Sequence, residues 1–74
     1  MNQMTDKQIK QIIGKNLQDA RKKVRLTQLE VAGVVDINVN YYAKIEQGLA
    51  VPSLMTLVRI LKVIKTRSSK ILPF

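Results

Sequence analysis

The sequence predicts an all-α protein of five short helices, and three observations support this fold class. Apolar residues recur at steps of three and four, which is the spacing of one helix face. Residue types that cap helices stand before several of these apolar series. No segment shows the strict alternation of apolar and polar residues that is typical of a half-buried strand. The 74 residues allow one core, so we expect residues 1–74 to form a single domain.

Helix 1 is predicted over residues 6–23. Thr5 or Asp6 can cap its start, and Gly14 in its interior weakens it somewhat. Its apolar face consists of Ile9, Ile13, Leu17, Ala20 and Val24. Most of its lysines fall off that face, so the helix is amphipathic.

Helix 2 is predicted over residues 28–34 and begins after Thr27. Glu30 follows three residues later, so each side chain can bond the backbone N–H of the other residue in a capping box. Val31 and Ala32 are expected to face inward. The small side chain of Ala32 suits a close approach between two helices.

Helix 3 is predicted over residues 39–46, after a tight turn at Asp36-Ile37. Asn38 is a suitable N-cap, and Gly48 can end the helix in the left-handed conformation. Residues 27–48 therefore read as two short helices joined by a turn. That spacing is typical of a helix-turn-helix, which lays one helix across the DNA backbone and places the next in the major groove.

Ser53 is predicted to cap a fourth helix, and Ser68-Ser69 to cap a final short turn. The segment 64–74 is unusually apolar for a chain end, and its apolar residues are Ile64, Ile71, Leu72 and Phe74. These residues either fold back to complete the monomer core or form a two-fold interface. We favour a homodimer, because closed two-fold dimers are the commonest oligomers.

Composition excludes several functions. The chain has neither cysteine nor histidine, which excludes disulfides and any zinc site built from thiolates or imidazoles. It also has no glycine-rich phosphate loop and no convincing pair of carboxylates, so we expect neither an enzyme nor a cofactor. There is no apolar run of membrane-spanning or signal-peptide length, and we expect a cytoplasmic protein that associates with the nucleoid.

The net charge of +8 suggests a polyanionic partner, although a solvated basic surface is the alternative. The charge is uneven along the chain. Residues 1–26 and 49–74 each carry a net charge of +5, whereas residues 27–48 carry −2. If DNA is the partner, the flanks must supply the non-specific attraction to phosphates.

Several spaced residues resemble one known family, from about Ile13 to Leu72. The chain is similar to Cro/C1-type helix-turn-helix proteins, also called the Xre family, which include phage repressors, restriction-modification controller proteins and small antitoxins. The residues that carry the resemblance are Thr27-Gln28, Ala32, Ile37-Asn38, Ile45-Glu46, Gly48 and Pro52-Ser53-Leu54. It implies a lambda-repressor-like fold.

Two positions depart from the family pattern. Asp36 stands where the family usually has the glycine of the turn, but aspartate tolerates the left-handed region better than most residues. Tyr42 stands where an aliphatic residue usually faces the core. A tyrosine there needs space for its ring and a partner for its hydroxyl.

The resemblance implies roles for particular side chains of helix 3. The positions of Val39, Asn40 and Lys44 reach base edges in the family, and Ala43 shares their outward face. Asparagine can pair with adenine, lysine can donate to guanine, and a small apolar side chain can contact the thymine methyl group. On an isolated helix, the same residues would simply be solvated.

Other residues are implied to hold the DNA backbone. Gln28 binds a phosphate in the family, at a helix N-terminus that favours anions. Tyr41 can either contact a phosphate or be a half-buried residue. The two lysines and the arginine of the connection between helices 1 and 2 can either attract phosphates or simply be solvated. The candidate phosphate-binding residues are Thr27, Gln28, Asn38, Tyr41, Gln47, Lys22, Lys23 and Arg25.

Arg21 and Glu46 are expected to form a structural ion pair, as the arginine of helix 1 and the glutamate closing helix 3 do in the family.

The resemblance as a whole implies a sequence-specific regulator of transcription, expected to be a repressor. As a homodimer it would bind a palindromic operator in double-stranded DNA, without a small-molecule ligand. A protein-binding module, such as an antitoxin or an anti-repressor, is the alternative; a basic membrane binder is weaker, because the motif uses its apolar faces as core.

Overall fold

The computed structural model describes residues 3–73, and within that range it contains five α-helices and no strand. The all-α prediction is confirmed, and the predicted bounds of the first three helices agree with the structure to within one residue. The helices are α1 (Asp6–Lys23), α2 (Gln28–Val35), α3 (Val39–Glu46), α4 (Leu54–Val63) and α5 (Ser68–Ile71). None of the helices in this range is long and apolar enough to cross a bilayer.

Side-chain caps start the first four helices. Thr5 and Gln8 form a capping box at α1, and the Ser53 hydroxyl accepts a hydrogen bond from the Thr56 N–H at α4. The predicted cap of the last helix is wrong, because Ser68 already belongs to α5. The N-cap position there is Arg67, whose side chain makes no capping hydrogen bond.

The first four helices all end in the same way, with a residue in the left-handed conformation. In each case the N–H of the following residue bonds the carbonyl oxygen five positions earlier, as in a Schellman motif. The left-handed residues are Arg25, Asp36, Gly48 and Lys65. Only one of them is glycine, and Asp36 takes the conformation at φ 63° in the turn where the family usually has glycine.

The core lies between α1, α2, α3 and α4, while α5 packs against α1. Its buried apolar residues are Leu17, Val31, Ala32, Val35, Tyr42, Ile45, Ile60, Ile64 and Ile71. Ile64 and Ile71 are each 1 % exposed. The prediction that these two residues form a dimer interface is therefore wrong, because they complete the core of the monomer. Of the other two, Leu72 is half-buried, and Phe74 lies outside the described residues.

Gly14 allows α1 to approach the end of α3. A β-carbon on Gly14 would collide with the carbonyl oxygens of Ile45 and Glu46, and would lie 2.8 Å from the Glu46 carbonyl carbon. These are backbone atoms, which cannot turn aside as a flexible side chain can. The glycine that looks like a weak point of helix 1 is thus the residue that lets the two helices meet.

Candidate nucleic-acid interface

The N-terminus of α2 is formed by the predicted capping box. The Thr27 hydroxyl accepts a hydrogen bond from the Glu30 N–H at 3.1 Å, and the Glu30 carboxylate accepts one from the Thr27 N–H at 2.9 Å. The hydrogen bond from the Thr27 backbone N–H, with a smaller contribution from the Thr27 side chain, lowers the pKa of the Glu30 carboxyl. The Thr27 hydroxyl therefore serves primarily as a cap.

Asn38 holds the start of α3. Its side-chain oxygen accepts hydrogen bonds from the N–H groups of Asn40, at 2.7 Å, and Tyr41, at 3.3 Å. The side chain of Asn38 is exposed, so its amide nitrogen still faces solvent. The turn between α2 and α3 is thus closed by the left-handed Asp36 on one side and by this cap on the other.

The four predicted base-reading residues share one face of α3, since they stand at positions i, i+1, i+4 and i+5. They differ in exposure. Asn40 and Lys44 are exposed, whereas Val39 and Ala43 are half-buried. Val39 also packs against the core, so part of its side chain already contributes to the fold.

The other side of α3 is fixed by the predicted ion pair. Arg21 Nε donates to one carboxylate oxygen of Glu46 at 2.7 Å, and a terminal nitrogen of the guanidinium donates to the other at 3.1 Å. The second terminal nitrogen donates to the Leu26 carbonyl oxygen at 2.8 Å. The two side chains are 10 % and 1 % exposed. The pair therefore joins α1, the connection to α2 and the end of α3.

The charge state of this pair follows from its hydrogen bonds. Burial by itself raises the pKa of the Glu46 carboxyl, but hydrogen bonds from Arg21 and Gln28 outweigh it, and the pKa lies below its ordinary value. The hydrogen bond to Glu46 raises the pKa of Arg21 against the opposing effect of burial. Both groups are thus charged near neutral pH.

Gln28, predicted to bind phosphate, has an intramolecular partner that the sequence analysis did not expect. Its amide nitrogen donates to a carboxylate oxygen of Glu46 at 2.9 Å. The side chain is half-buried and lies at the first turn of α2. One amide hydrogen is committed to this contact, and the other hydrogen and the amide oxygen are left for an external partner.

Tyr42 is fully buried, at 0 % exposure, so the core accommodates its ring. Its hydroxyl lies close to Glu46 and Arg21, but it has no hydrogen-bond partner among residues 3–73. Burial, with a contribution from the Glu46 carboxylate, raises the pKa of the Tyr42 phenol well above its ordinary value. The family's aliphatic position is thus filled by a neutral tyrosine beside the ion pair.

Two of the candidate phosphate-binding residues make hydrogen bonds within the protein. The Tyr41 hydroxyl donates to the Val51 carbonyl oxygen at 3.1 Å, so it ties α3 to the following loop. At the end of α3, the N–H groups of Gln47 and Leu49 bond the carbonyl oxygens of Ala43 and Lys44. Only the exposed side chain of Gln47 stays available there.

The three predicted basic residues of the first connection are all exposed. Lys22 and Lys23 end α1, and Arg25 follows in the left-handed conformation at φ 60°. The nearby Arg21 carbonyl and guanidinium are occupied by the helix end and by the ion pair. The connection therefore presents three cations next to the start of α2.

Sequence reasoning missed two features that position this surface, the backbone contact at Gly14 and the bond from Gln28 to Glu46. A glycine inside an otherwise good helix was the available signal for the first. The second had no signal of its own, because residues 28 and 46 are brought together only by the packing of three helices.

Two short helices, a tight turn and an exposed face on the second helix define a helix-turn-helix protein. A family model described as Helix-turn-helix matches residues 17–71, and the chain belongs to the Cro/C1-type helix-turn-helix family. No curated protein matches the sequence of this chain.

The fold is also similar to that of a solved structure. This is the restriction-modification controller protein C.AhdI from Aeromonas hydrophila, with a TM-score of 0.76 and 18 % sequence identity. The match covers 82 % of this chain and 92 % of that protein. At this level of identity, the likeness shows a shared fold.

Proposed function

We propose that the protein is a sequence-specific regulator of transcription that binds double-stranded DNA as a homodimer and represses the genes that it controls. In this proposal α3 enters the major groove and the N-terminus of α2 faces the phosphate backbone. The observation that carries it is the contrast within α3. Asn40 and Lys44 are exposed on one side, while Tyr42, Ile45 and Glu46 anchor the other side in the core.

An anchored helix with free polar side chains is suited to reading base edges. In this proposal Asn40 pairs with adenine and Lys44 donates to guanine, while the exposed parts of Val39 and Ala43 contact thymine methyl groups. In the same complex, the side chains of Thr27, Gln28, Asn38 and Gln47 lie near the phosphate backbone of the DNA. Since residues 27–48 carry a net charge of −2, the phosphate attraction must come from the flanks. Lys22, Lys23 and Arg25 are the flanking cations closest in sequence.

The proposed dimer uses α4 and the half-buried Leu72 rather than Ile64 and Ile71. Leu54 is 75 % exposed and Met55 is 59 % exposed, and the two are adjacent in sequence at the start of α4. Leu54 also lines a largely apolar groove between α4 and the end of the described chain, and the other apolar residues of this groove are Leu57, Val58, Leu61 and Leu72. A two-fold dimer that reads successive major grooves needs its two copies of α3 about 34 Å apart, one turn of DNA.

The first experiment is selection of bound sequences from random duplex DNA at two salt concentrations. We expect an enriched palindrome with half-sites about 10 base pairs apart, and an affinity that falls steeply with salt. Weak binding that is equally sensitive to salt for all sequences would contradict a sequence-specific regulator.

The selected duplex then tests the reading residues. Asn40→Ala and Lys44→Ala should each lower its affinity by about 1–3 kcal/mol and relax the preference at one base position, because each removes a base contact. Lys22→Ala is the matched control, because it should weaken binding to all duplexes alike and make it less dependent on salt. If both reading variants behave like Lys22→Ala, α3 does not read the sequence.

Sedimentation measures the oligomeric state. Leu54→Glu should shift the protein from dimer to monomer, since it places a charge in the proposed apolar interface. Leu29→Glu is the control, because Leu29 is similarly exposed at 67 % but lies on α2. A dimer that resists Leu54→Glu would place the interface elsewhere, and a monomeric wild-type protein would remove the dimer from the proposal.

A protein-binding module, such as an antitoxin or an anti-repressor, is the second candidate, and the surface of α2 favours it. Leu29 and Val34 are 67 % and 71 % exposed, and the exposed charges beside them, Glu30 and Asp36, are both acidic. An apolar protein interface predicts a shallow dependence of binding on salt, whereas DNA binding predicts a steep one. In the selection experiment, an enriched duplex supports the regulator, whereas weak and sequence-independent binding to DNA favours the protein-binding module.

A further inference from the structure

One carboxylate joins the three helices that build the reading surface. The Glu46 oxygen that accepts from Arg21 at 3.1 Å also accepts from the amide nitrogen of Gln28 at 2.9 Å. Glu46 is the last residue of α3 and Gln28 is the first residue of α2. The contact therefore links the phosphate-facing end of α2 directly to the end of the proposed reading helix.

We propose that Gln28 is a positioning residue for sequence recognition, which acts on α3 through Glu46 in addition to any contact with phosphate. This rests on the proposed function as a DNA-binding regulator. Gln28 sets the orientation of α3 relative to α2, and so sets the fit of Asn40 and Lys44 to the bases when α2 is seated on the backbone.

The hydrogen bonds of Glu46 separate this role from a purely structural one. Without Gln28, both oxygens of Glu46 still accept from Arg21, so no buried charge is left uncompensated. The core residues of α3 are also unchanged. The main loss is one charge-assisted hydrogen bond between the start of α2 and the end of α3. The fold should survive, while the relative orientation of the two helices becomes looser.

The same contact fixes the direction of the Gln28 amide group. One of its two amide hydrogens points to Glu46, so the remaining hydrogen and the oxygen are held in one orientation at the half-buried start of α2. A phosphate bound there would be linked to the position of α3 through the Gln28 side chain alone. Binding of the DNA phosphate backbone and recognition of the bases would thereby be coupled.

The test compares the affinity for the selected duplex with that for a scrambled duplex of equal length, by titration at one salt concentration. For Gln28→Ala, we expect the ratio of the two affinities to fall about tenfold, with thermal unfolding close to that of the wild type. Lys22→Ala is the control, and its ratio should be unchanged although both affinities fall. An unchanged ratio for Gln28→Ala would overturn the proposal, since a simple phosphate contact weakens both duplexes equally.

A measurement without DNA keeps the proposal testable if no duplex is selected. Hydrogen exchange, read by NMR on the free protein, should become about tenfold faster for Gln28→Ala at the Gln47 and Leu49 amides, which bond the last turn of α3. The Ile64 amide, at the end of α4, should exchange as in the wild type. Unchanged exchange at the end of α3 would overturn the coupling itself, whereas a failed selection alone would overturn the proposed function.

Discussion

The two sides of α3 differ in their contacts with the rest of the protein. On the inner side, Ile45 is 1 % exposed, the Glu46 carboxylate bonds Arg21, and the backbone meets Gly14 without an intervening side chain. On the outer side, Asn40 and Lys44 are exposed. A helix that is only eight residues long is thus fixed mainly by contacts on its inner side.

This contrast separates the residues that orient the helix from the residues that it presents. A change on the inner side should act first on stability, because it disturbs a backbone contact or a buried charge. A change on the outer side should leave stability nearly unchanged. Loss of DNA binding after an inner-side mutation therefore does not identify a DNA contact, and each variant needs a measurement of folding.

The largest expected effect on stability is that of Gly14→Ala. In an open helix this change stabilises, but here the added methyl group would collide with the carbonyl oxygens of Ile45 and Glu46. Since neither helix can yield without losing its core contacts, we expect a loss of about 3 kcal/mol, at the upper end of typical overpacking costs. Urea denaturation of the variant and the wild type measures it. A variant as stable as the wild type would show that α1 and α3 are not in close contact.

The second largest expected effect on stability is that of low pH, which acts on the buried Glu46 on the inner side of α3. The pKa of Glu46 is lower in the folded protein than its ordinary value of 4.5, so the ionised carboxylate stabilises the fold. That contribution is complete above the unfolded pKa and is lost as the pH falls through the folded pKa. We expect the midpoint temperature of thermal unfolding to be independent of this group between pH 7 and pH 5. Below about pH 4.5, the midpoint temperature should decrease as the pH falls.

Glu46→Gln is the matched control for the acid effect. It removes the titrating group while keeping the shape of the side chain, so its midpoint should be lower at pH 7 and should fall less below pH 4.5. Glu30 also has a lowered pKa and titrates in the same window, but it is exposed and is present in both proteins. Parallel curves for the two proteins would mean that Glu46 does not stabilise the fold through its charge.

The helices were predictable because local signals determine them. The capping box of Thr27 and Glu30, the Asn38 cap and the glycine at position 48 each act within a few residues of sequence. The Arg21–Glu46 pair was predictable only from the family resemblance, since the two residues are 25 positions apart.

The remaining features depend on packing that no local pattern encodes. Ile64 and Ile71 are as apolar as interface residues, and only their burial in the tertiary structure shows that they belong to the core. Tyr41 carries the same hydroxyl whether it meets a phosphate or the Val51 carbonyl. Apolarity and donor groups thus indicated that these residues have partners, and the tertiary structure decided which partners they have.

The smallest expected effect is that of Gly33→Ala on the exposed face of α2, and it sharpens the comparison with Gly14. Gly33 lies in α2 on an exposed face, and a β-carbon there would meet no atom within 4 Å. Nothing opposes the helix propensity of alanine, so we expect a gain of about 0.5–1 kcal/mol in the free energy of unfolding. Urea denaturation detects it beside Gly14→Ala, since the two variants make the same chemical change with opposite signs. A loss of stability at Gly33 would instead mean that this face is covered in solution, and sedimentation of the variant would show whether a second copy covers it.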